Sequence, residues 1–242
     1  MAKTNGLNCR LYVEGYDLSG DANSFSGGGY INELLDVTTL DVSARKRIIG
    51  SVDSEMSFDA WFDNAASHQH AVWSSNSGKL PTADQDILIP MGSAVGDQFV
   101  GLVAKEGAYN VARSGGSAIS ANATFSANGS AAEFGEMLTA FDDTHSSASS
   151  GTVVDSGASS SNGGSGYLQL LSLDSGSVTV NLQESTSSGG SYSNFMTFST
   201  VAAAAAPSAE RLTNERTVQR YIKVTTTGTF SNAKIVVGFS RS

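Results

Sequence analysis

The segment SVDSEMSFDAWFD, residues 51–63, alternates apolar and polar side chains along its whole length. Alternate residues of a β-strand point to opposite faces of a sheet, so this pattern predicts one continuous strand that is buried on one face. The opposite face would carry a row of carboxylates. One face would carry Val52, Met56, Phe58, Ala60 and Phe62 together with Ser54, and the other would carry Asp53, Glu55, Asp59 and Asp63, with Ser57 and Trp61 between them.

The rest of the chain shows the same kind of pattern in segments separated by Gly- and Ser-rich turns. Strands are predicted at 10–14, 87–91, 98–105 and 118–128, and later at 167–173, 178–183, 194–199, 218–226 and 233–239. Short helices are predicted at 64–75, with Asn64 as the N-cap, and at 131–141. Many strands with one or two short helices exclude a fold built from βαβ units, so the predicted class is mainly β.

Charge divides the chain into two parts. Residues 1–150 contain 18 Asp and Glu against 8 Lys and Arg, a balance of −10, whereas residues 151–242 contain 5 against 6, a balance of +1. Ser and Gly dominate the stretch 143–166, which is typical of a linker or a long loop. We therefore predict two domains, 1–150 and 151–242, the second being an antiparallel β-sandwich of immunoglobulin-like size. The acidic first part excludes an ordinary nucleic-acid-binding protein, because it repels phosphates.

Cysteine use and hydropathy limit the cellular setting. Cys9 is the single cysteine, so no disulfide can form within the chain. The first residues lack the apolar run of a signal peptide, and no apolar stretch has the length needed to cross a bilayer. These features predict a protein that is made and kept in a cytoplasm, or assembled there.

No common catalytic or metal-binding motif is present. The sequence contains no Gly-x-Ser-x-Gly, no His-Glu-x-x-His and no phosphate-binding loop. His68 and His70 are a local pair of possible metal ligands, but residues two apart on a helix point in different directions and would not share an ion. The sequence therefore predicts no metal and no cofactor.

The acidic face of residues 51–63 allows one enzymatic alternative. A glycosidase-type pair could be formed by Asp59 with Asp63, or by Asp53 with Glu55. Such a pair needs one pKa raised by burial, and only Trp61 offers apolar cover on this face. A solvated acidic face is therefore the favoured interpretation, and no catalytic residue is predicted.

A cluster of cations interrupts the acidic first part. In the segment DVTTLDVSARKRIIG, residues 36–50, Arg45, Lys46 and Arg47 account for three of the eight cations of residues 1–150. They precede a strand, so they are predicted at the tip or on the descending arm of a long hairpin. A solvated loop is one interpretation. The other is a contact with an acidic neighbour, since complementary charge fixes how partners are oriented.

The order of these features resembles one known protein family. The opening LYVEGYDLSGDANSF, residues 11–25, resembles the start of the tail tube, or major tail, proteins of long-tailed bacteriophages. The long hairpin, SFDAWFD, SHQHAVW and VGLVAKEGAYNV then follow in the same order. The later segments GYLQLLSLDSGSVTVNLQES, FMTFSTV and VQRYIKVTTTGTFSNAKIVVGFSR are similar to an immunoglobulin-like β-sandwich domain attached to phage virion proteins.

The resemblance implies a non-enzymatic structural protein of the virion, assembled in the host cytoplasm. Its first domain would be a two-sheet antiparallel sandwich or barrel with one or two short helices, and six copies would close into a ring. Stacked rings would form the tail tube, through which DNA passes without specific binding. Besides further copies of the chain, the partners would be tape measure and tail tip or terminator proteins, with no membrane involved. Closely related ring proteins of the tail share this resemblance.

Two sets of residues acquire hypothetical roles from this picture. One set would line the lumen and repel the DNA backbone, and it consists of Asp53, Glu55, Asp59 and Asp63. The other set would form the contact between rings, and it consists of Asp36, Asp41, Arg45, Lys46 and Arg47.

The alternative from a different class is a virion decoration protein that binds carbohydrate or a host surface through its second domain. Tyr167, Tyr192 and Tyr221 could supply aromatic platforms for such binding. Tyrosines in sandwich domains are more commonly part of the core.

Overall fold

The computed structural model describes residues 9–74, 78–141 and 143–242. In these ranges the chain is mainly β, with antiparallel pairing and one short α-helix, α1, Gln69–Trp73. The first strands are β1 (Tyr12–Val13), β2 (Tyr16–Asp17), β3 (Ala22–Gly27), β4 (Ile31–Asp36), β5 (Arg47–Asp53), β6 (Glu55–Trp61), β7 (Gln85–Pro90), β8 (Gln98–Ala112), β9 (Ser120–Ala127) and β10 (Glu133–Met137). The later strands are β11 (Asp143–His145), β12 (Val154–Asp155), β13 (Gly164–Ser185), β14 (Ser193–Thr197), β15 (Val201–Ala202), β16 (Ser208–Asn214) and β17 (Tyr221–Arg241). None of the described helices is long and apolar enough for a membrane span.

The strands form one large sheet system and one separate ribbon. Fifteen strands are connected by hydrogen bonds into a single sheet, whereas β4 and β5 pair only with each other. In the first half, β3, β6, β9 and β8 lie side by side, and β8 continues to β7 and β1. The apolar side chains of these strands pack around Trp73 of α1, which is fully buried.

The predicted alternation is confirmed for β6. Met56, Phe58 and Ala60 are buried, while Glu55 and Asp59 on the same strand are exposed. Opposite residues of β9 continue the buried side, because Phe58 pairs with Ala123 and Met56 pairs with Phe125. The sheet therefore has one apolar face and one polar face here, as the period-two pattern requires.

The prediction of a single continuous strand over residues 51–63 is wrong. The chain changes partners at Ser54, with β5 ending at Asp53 and β6 beginning at Glu55. Ser54 is fully buried, and its Oγ donates to the carbonyl oxygen of Gly29 at 2.8 Å and accepts from the N–H of Ala132 at 2.9 Å. On the other arm Gly27 has a positive φ of 90°, a conformation that glycine adopts at little cost. These contacts join residues far apart in sequence, so alternation alone does not reveal the break.

Both predicted helices differ from the structure. α1 begins at Gln69 rather than near Asn64, and the Asp21 carboxylate accepts the N–H of Gln69 at 2.9 Å. The predicted end at Ser75 lies outside the described residues. The second predicted helix is strand β10, because that segment pairs with β8 on one side and β17 on the other. Its centre is Gly135, where a Cβ would lie 2.3 Å from the carbonyl oxygen of Phe239.

Two long strands dominate the second half. β13 and β17 pair from Gly164 with Arg241 to Ser185 with Tyr221, although turns were predicted within both of them. Gly176 and Gly228 have positive φ and remain within the ladder. The ribbon folds back on itself, because Gly166 and Leu182, near opposite ends of β13, lie close together. A Cβ at Gly166 would be only 2.9 Å from Leu182 Cδ1. Side chains from both ends of the ribbon thus share one core.

The Ser- and Gly-rich stretch 143–166 is only partly loop. It contains β11 and β12, and both of these strands pair with β17. Such pairing uses backbone groups, which side-chain composition does not report. The two larger cores draw on residues 11–132 and 138–239 respectively. Division into two domains at residue 150 stays a prediction.

A polar cluster joins the two halves beside a third, smaller core. Arg211 of β16 donates two hydrogen bonds to Glu133 of β10, from Nε to Oε2 at 2.9 Å and from Nη2 to Oε1 at 2.8 Å. The hydroxyls of Tyr167 and Ser165 donate to the same carboxylate. Burial raises the pKa of Glu133, but these bonds outweigh it, so the pKa lies below its ordinary value. We call this set, Glu133, Arg211, Tyr167 and Ser165, the junction cluster.

One buried carboxylate, that of Glu106 on β8, has no hydrogen-bond partner among the described residues. The residue is 6% exposed, and burial raises its pKa from 4.5 to about 8. Burial also raises the pKa of Glu14 to about 7 and that of Asp86 to about 6. These groups hold protons in the folded chain at pH values where the unfolded chain has released them.

Stability is therefore expected to fall as the pH rises from 5 to 8. Between pH 4.5 and about pH 8, Glu106 is protonated in the folded chain but ionised in the unfolded chain. Burying this carboxyl group therefore costs no stability below pH 4.5, and the cost grows with pH until the folded state also loses the proton near pH 8. Glu106→Gln should reduce the fall in the free energy of unfolding between pH 5 and pH 8 by roughly 3 kcal/mol. Urea unfolding of both proteins at several pH values measures this, and equal pH dependence of the two would contradict it.

Candidate functional site

The hairpin of β4 and β5 is the most exposed apolar surface of the described chain. Fourteen large hydrophobic side chains are exposed among the described residues, and all of them lie at or before Phe134. Eight of these belong to the hairpin and its loop, namely Ile31, Leu34, Leu35, Val37, Leu40, Ile48, Ile49 and Val52. Exposure of so many apolar side chains in one hairpin is typical of an interaction surface.

The apolar residues occupy both faces of this ribbon. Leu34 pairs with Ile49, and the next pair along the ladder is Leu35 with Ile48. Residues paired across an antiparallel ladder share a face, and successive pairs alternate between faces. A two-stranded ribbon with apolar pairs on both sides has no self-contained core, and such ribbons are marginally stable alone in water.

The predicted cationic segment lies at the distal end of the hairpin, which confirms the hairpin prediction. Arg45, Lys46 and Arg47 are exposed, and among the described side chains none of them forms an ion pair. The loop also has local hydrogen bonds. Asp36 Oδ1 accepts from the N–H of Thr38 at 2.9 Å, and hydrogen bonding from the Thr38 side chain, followed by that from its N–H, lowers the pKa of Asp36. Asp41 accepts a hydrogen bond from Thr39.

The four carboxylates predicted to share one face are separated by the structure. Glu55 and Asp59 lie together on the exposed face of β6, where Asp59 accepts from Ser24 Oγ and Asn122 Nδ2, each at 2.9 Å. Asp53 belongs to the hairpin strand β5. Asp63 follows β6 and accepts from the N–H of Ala65 at 2.8 Å. Their predicted position in a lumen stays a prediction.

The sheet face that carries Glu55 and Asp59 is lined mostly by small uncharged side chains, with Trp61 exposed at the end of β6. Across the ladder, Glu55 pairs with Ser126, Ser57 with Thr124, and Asp59 with Asn122. On the other side, β3 places Ser24 opposite Asp59 and Ser26 opposite Ser57. We call this surface of β3, β6 and β9 the polar sheet face. It offers negative charge and neutral hydroxyl and amide groups.

The two histidines point to different partners, as the sequence predicted. His70 Nδ1 lies 2.9 Å from the hydroxyl of Tyr109. His68 Nδ1 lies 3.0 Å from Asp21 Oδ1 and 3.5 Å from Asp63 Oδ2, and the hydrogen bond to Asp21 raises the pKa of His68. Sequence reasoning missed Asp21, which is far from the other two in sequence and belongs to no local motif.

The tyrosines considered as carbohydrate platforms do not form one surface. Tyr167 is fully buried and belongs to the junction cluster, so it does not supply a platform as that alternative requires. Tyr192 and Tyr221 are half-buried, with Lys223 Nζ 4.2 Å from the centre of the Tyr192 ring and Arg220 Cζ 5.1 Å from that of Tyr221. A cation from the chain itself therefore occupies one face of each ring.

No protein-family model and no curated protein sequence matches the chain. Among solved structures, a chain from the virion of a native gene transfer agent particle has a TM-score of 0.42 at 15% identity, covering 55% of this chain and 98% of that chain. The tube-terminating cap of the anti-feeding prophage has a TM-score of 0.43 at 10% identity, covering 56% of this chain and 93% of that chain. The Dit protein of phage SPP1, a hub of the adsorption apparatus, has a TM-score of 0.38 at 10% identity, covering 96% of this chain and 98% of that chain. Similarities this weak identify no family and assign no role to this chain.

Proposed function

We propose that the chain is a non-enzymatic structural subunit of a phage tail, and that its copies form stacked hexameric rings that make the tail tube. The observation that carries this proposal is the hairpin of β4 and β5, whose apolar side chains are exposed on both faces. Such a ribbon gains stability only when neighbouring molecules cover it.

Further copies of the same chain are the occupants that fit best. The chain has a net charge of −9, and its first 150 residues account for the whole excess of negative charge. Arg45, Lys46 and Arg47 are cations without ion pairs at the end of this hairpin, within the described part of the chain. An acidic neighbouring copy supplies the complementary charge, which orients the contact between rings. Asp36 and Asp41 belong to the same proposed contact.

The polar sheet face supports the role of a conduit. Glu55 and Asp59, with Asp53 and Asp63 at either end of β6, would line the lumen. Carboxylates repel the DNA backbone, and serine, threonine and asparagine side chains add no fixed positive charge to retain it. DNA would then pass without specific binding. The predicted second domain, residues 151–242, which has no exposed large hydrophobic side chain among its described residues, would face outward.

Self-assembly of the purified chain tests this function directly. We expect rings or tubes in negative-stain micrographs and a high-mass species in light scattering. A chain that stays monomeric at every concentration would contradict the proposal.

Charge reversal at the hairpin end tests the proposed contact between rings. Arg45→Glu with Lys46→Glu and Arg47→Glu should leave a folded protein that forms few stacked tubes, because repulsion replaces attraction across the contact. Wild-type stacking should also weaken with added salt, which screens exposed charges. Lys79→Glu with Arg113→Glu, exposed cations outside the hairpin, is the control and should stack normally. Normal tubes from the hairpin variant would show that the contact lies elsewhere.

A further inference from the structure

We propose that Asp21, Asp63 and His68 form a binding site for one divalent transition-metal ion, with Zn²⁺ as the best fit. His68 Nδ1 lies 3.0 Å from Asp21 Oδ1 and 3.5 Å from Asp63 Oδ2. The three donor atoms all lie within 4.8 Å of one another. This site shares Asp63 with the proposed lumen lining and no residue with the hairpin, and metal binding by it does not depend on the proposed function.

The spacing of these atoms suits a single ion. Zn²⁺ binds nitrogen and oxygen ligands at about 2.0–2.2 Å in tetrahedral geometry, which places neighbouring ligand atoms roughly 3.3 Å apart. The two distances from His68 Nδ1 bracket that value. Both distances from His68 therefore suit one ion, and the two carboxylate oxygens, which lie within 4.8 Å of each other, would close to a similar separation around it.

Each carboxylate is held by its second oxygen. Asp21 Oδ2 accepts from the N–H of Gln69 at 2.9 Å, and Asp63 Oδ1 accepts from the N–H of Ala65 at 2.8 Å. Asp21 is also fixed through its backbone, whose carbonyl accepts from the N–H of Trp61 at 2.9 Å. Outer hydrogen bonds of this kind orient metal ligands in advance.

The chemistry of the three donors selects the type of ion. One imidazole nitrogen and two carboxylate oxygens suit Zn²⁺, whereas Ca²⁺ and Mg²⁺ prefer oxygen ligands alone. Two carboxylates also neutralise a divalent cation. The side chains of Asp63 and His68 are 43% and 45% exposed, so an ion can enter and water can occupy a fourth position, while the side chain of Asp21 is 9% exposed.

The position of the three residues indicates a structural rather than a catalytic ion. Asp21 immediately precedes β3, Asp63 follows β6, and His68 immediately precedes α1. A bound ion would connect these three elements at one edge of the first core. Because the unfolded chain does not bring these residues together, binding should stabilise the folded chain.

Zinc titration of the full-length chain, first stripped of metal with a chelator, tests the site. We expect calorimetry to show one Zn²⁺ per chain, and Tm to rise by about 5 °C or more when free Zn²⁺ exceeds Kd a hundredfold. Asp63→Asn and His68→Gln should each weaken binding by about 100-fold or more. His70→Gln is the control, because the His70 ring contacts Tyr109 and only the backbone N–H of His70 reaches Asp63, and it should bind like the wild type.

Three outcomes would overturn the proposal. One is the absence of stoichiometric Zn²⁺ binding by the wild-type chain, which would show that the cluster is only an ion pair of His68 with the aspartates. Another is equal binding by the wild type and by both ligand variants. The third is loss of binding in His70→Gln, which would move the site. Circular dichroism of Asp63→Asn, the milder change, shows whether lost binding reflects lost folding.

Discussion

Replacing Leu34 and Ile49 with serine is expected to leave the chain folded and to abolish its self-assembly. The two side chains are 60% and 67% exposed, so the isolated fold loses little when they are shortened. Burying each of them at an interface would contribute about 1.5–3 kcal/mol. Losing both lowers the affinity of each contact by at least about 100-fold. Sedimentation velocity and negative-stain microscopy of the variant measure the loss.

The opposite face of the hairpin provides a second, independent test. Leu35→Ser with Ile48→Ser changes the pair on that face and should also prevent assembly, because neighbours are proposed to cover both faces. Asn32→Ser with Ser51→Ala, exposed polar positions on the same ribbon, is the matched control and should assemble normally. Assembly by both apolar variants would remove the hairpin from the interface.

Glu133→Ala is expected to produce the largest loss of folding stability, about 3–5 kcal/mol. The change leaves Arg211 without its bidentate partner, and the Arg211 and Glu133 side chains are only 17% and 21% exposed. It also removes the acceptor of Tyr167, which is fully buried. Urea unfolding followed by circular dichroism gives the difference in the free energy of unfolding.

An exposed ion pair with similar geometry is the control for this change. Asp155 accepts from Arg220 Nε at 2.6 Å and Nη2 at 2.8 Å, but the two side chains are 43% and 45% exposed. Asp155→Ala should therefore change stability far less, because water screens the pair. An unchanged midpoint for Glu133→Ala would show that the junction cluster does not hold the halves together. Two separate transitions in either protein would support the predicted division into two domains.

Much of the fold was predictable where neighbouring residues carry the signal. Alternation identified the buried face of β6, and the turn-rich pattern identified a mainly β chain. The cationic hairpin was predictable because Arg45, Lys46 and Arg47 stand together in an acidic region. These features depend on residues within one or two strands of each other.

The remaining features depend on contacts between distant residues. Ser54 interrupts the strand pattern of residues 51–63 because it forms hydrogen bonds with Gly29 and Ala132. The residues next to Ser54 in sequence give no sign of these bonds. Residues 131–141 have helical spacing, yet pairing with β8 and β17 makes their centre a strand. Asp21 approaches His68 only through the fold, so no spacing rule would identify it.

The position of β10 has a consequence for any shortened form of the protein. β10 lies between β8 and β17, so in a chain cut at residue 150 β10 would keep β8 and lose β17. The cut would expose a sheet edge, together with Tyr12, Phe99 and Met137, whose shared core includes Tyr167 and Val236. Open edges beside bare apolar surface recruit other strands and promote aggregation. The second half thus covers this edge of the first half, and the hairpin remains the principal exposed apolar surface of the described chain.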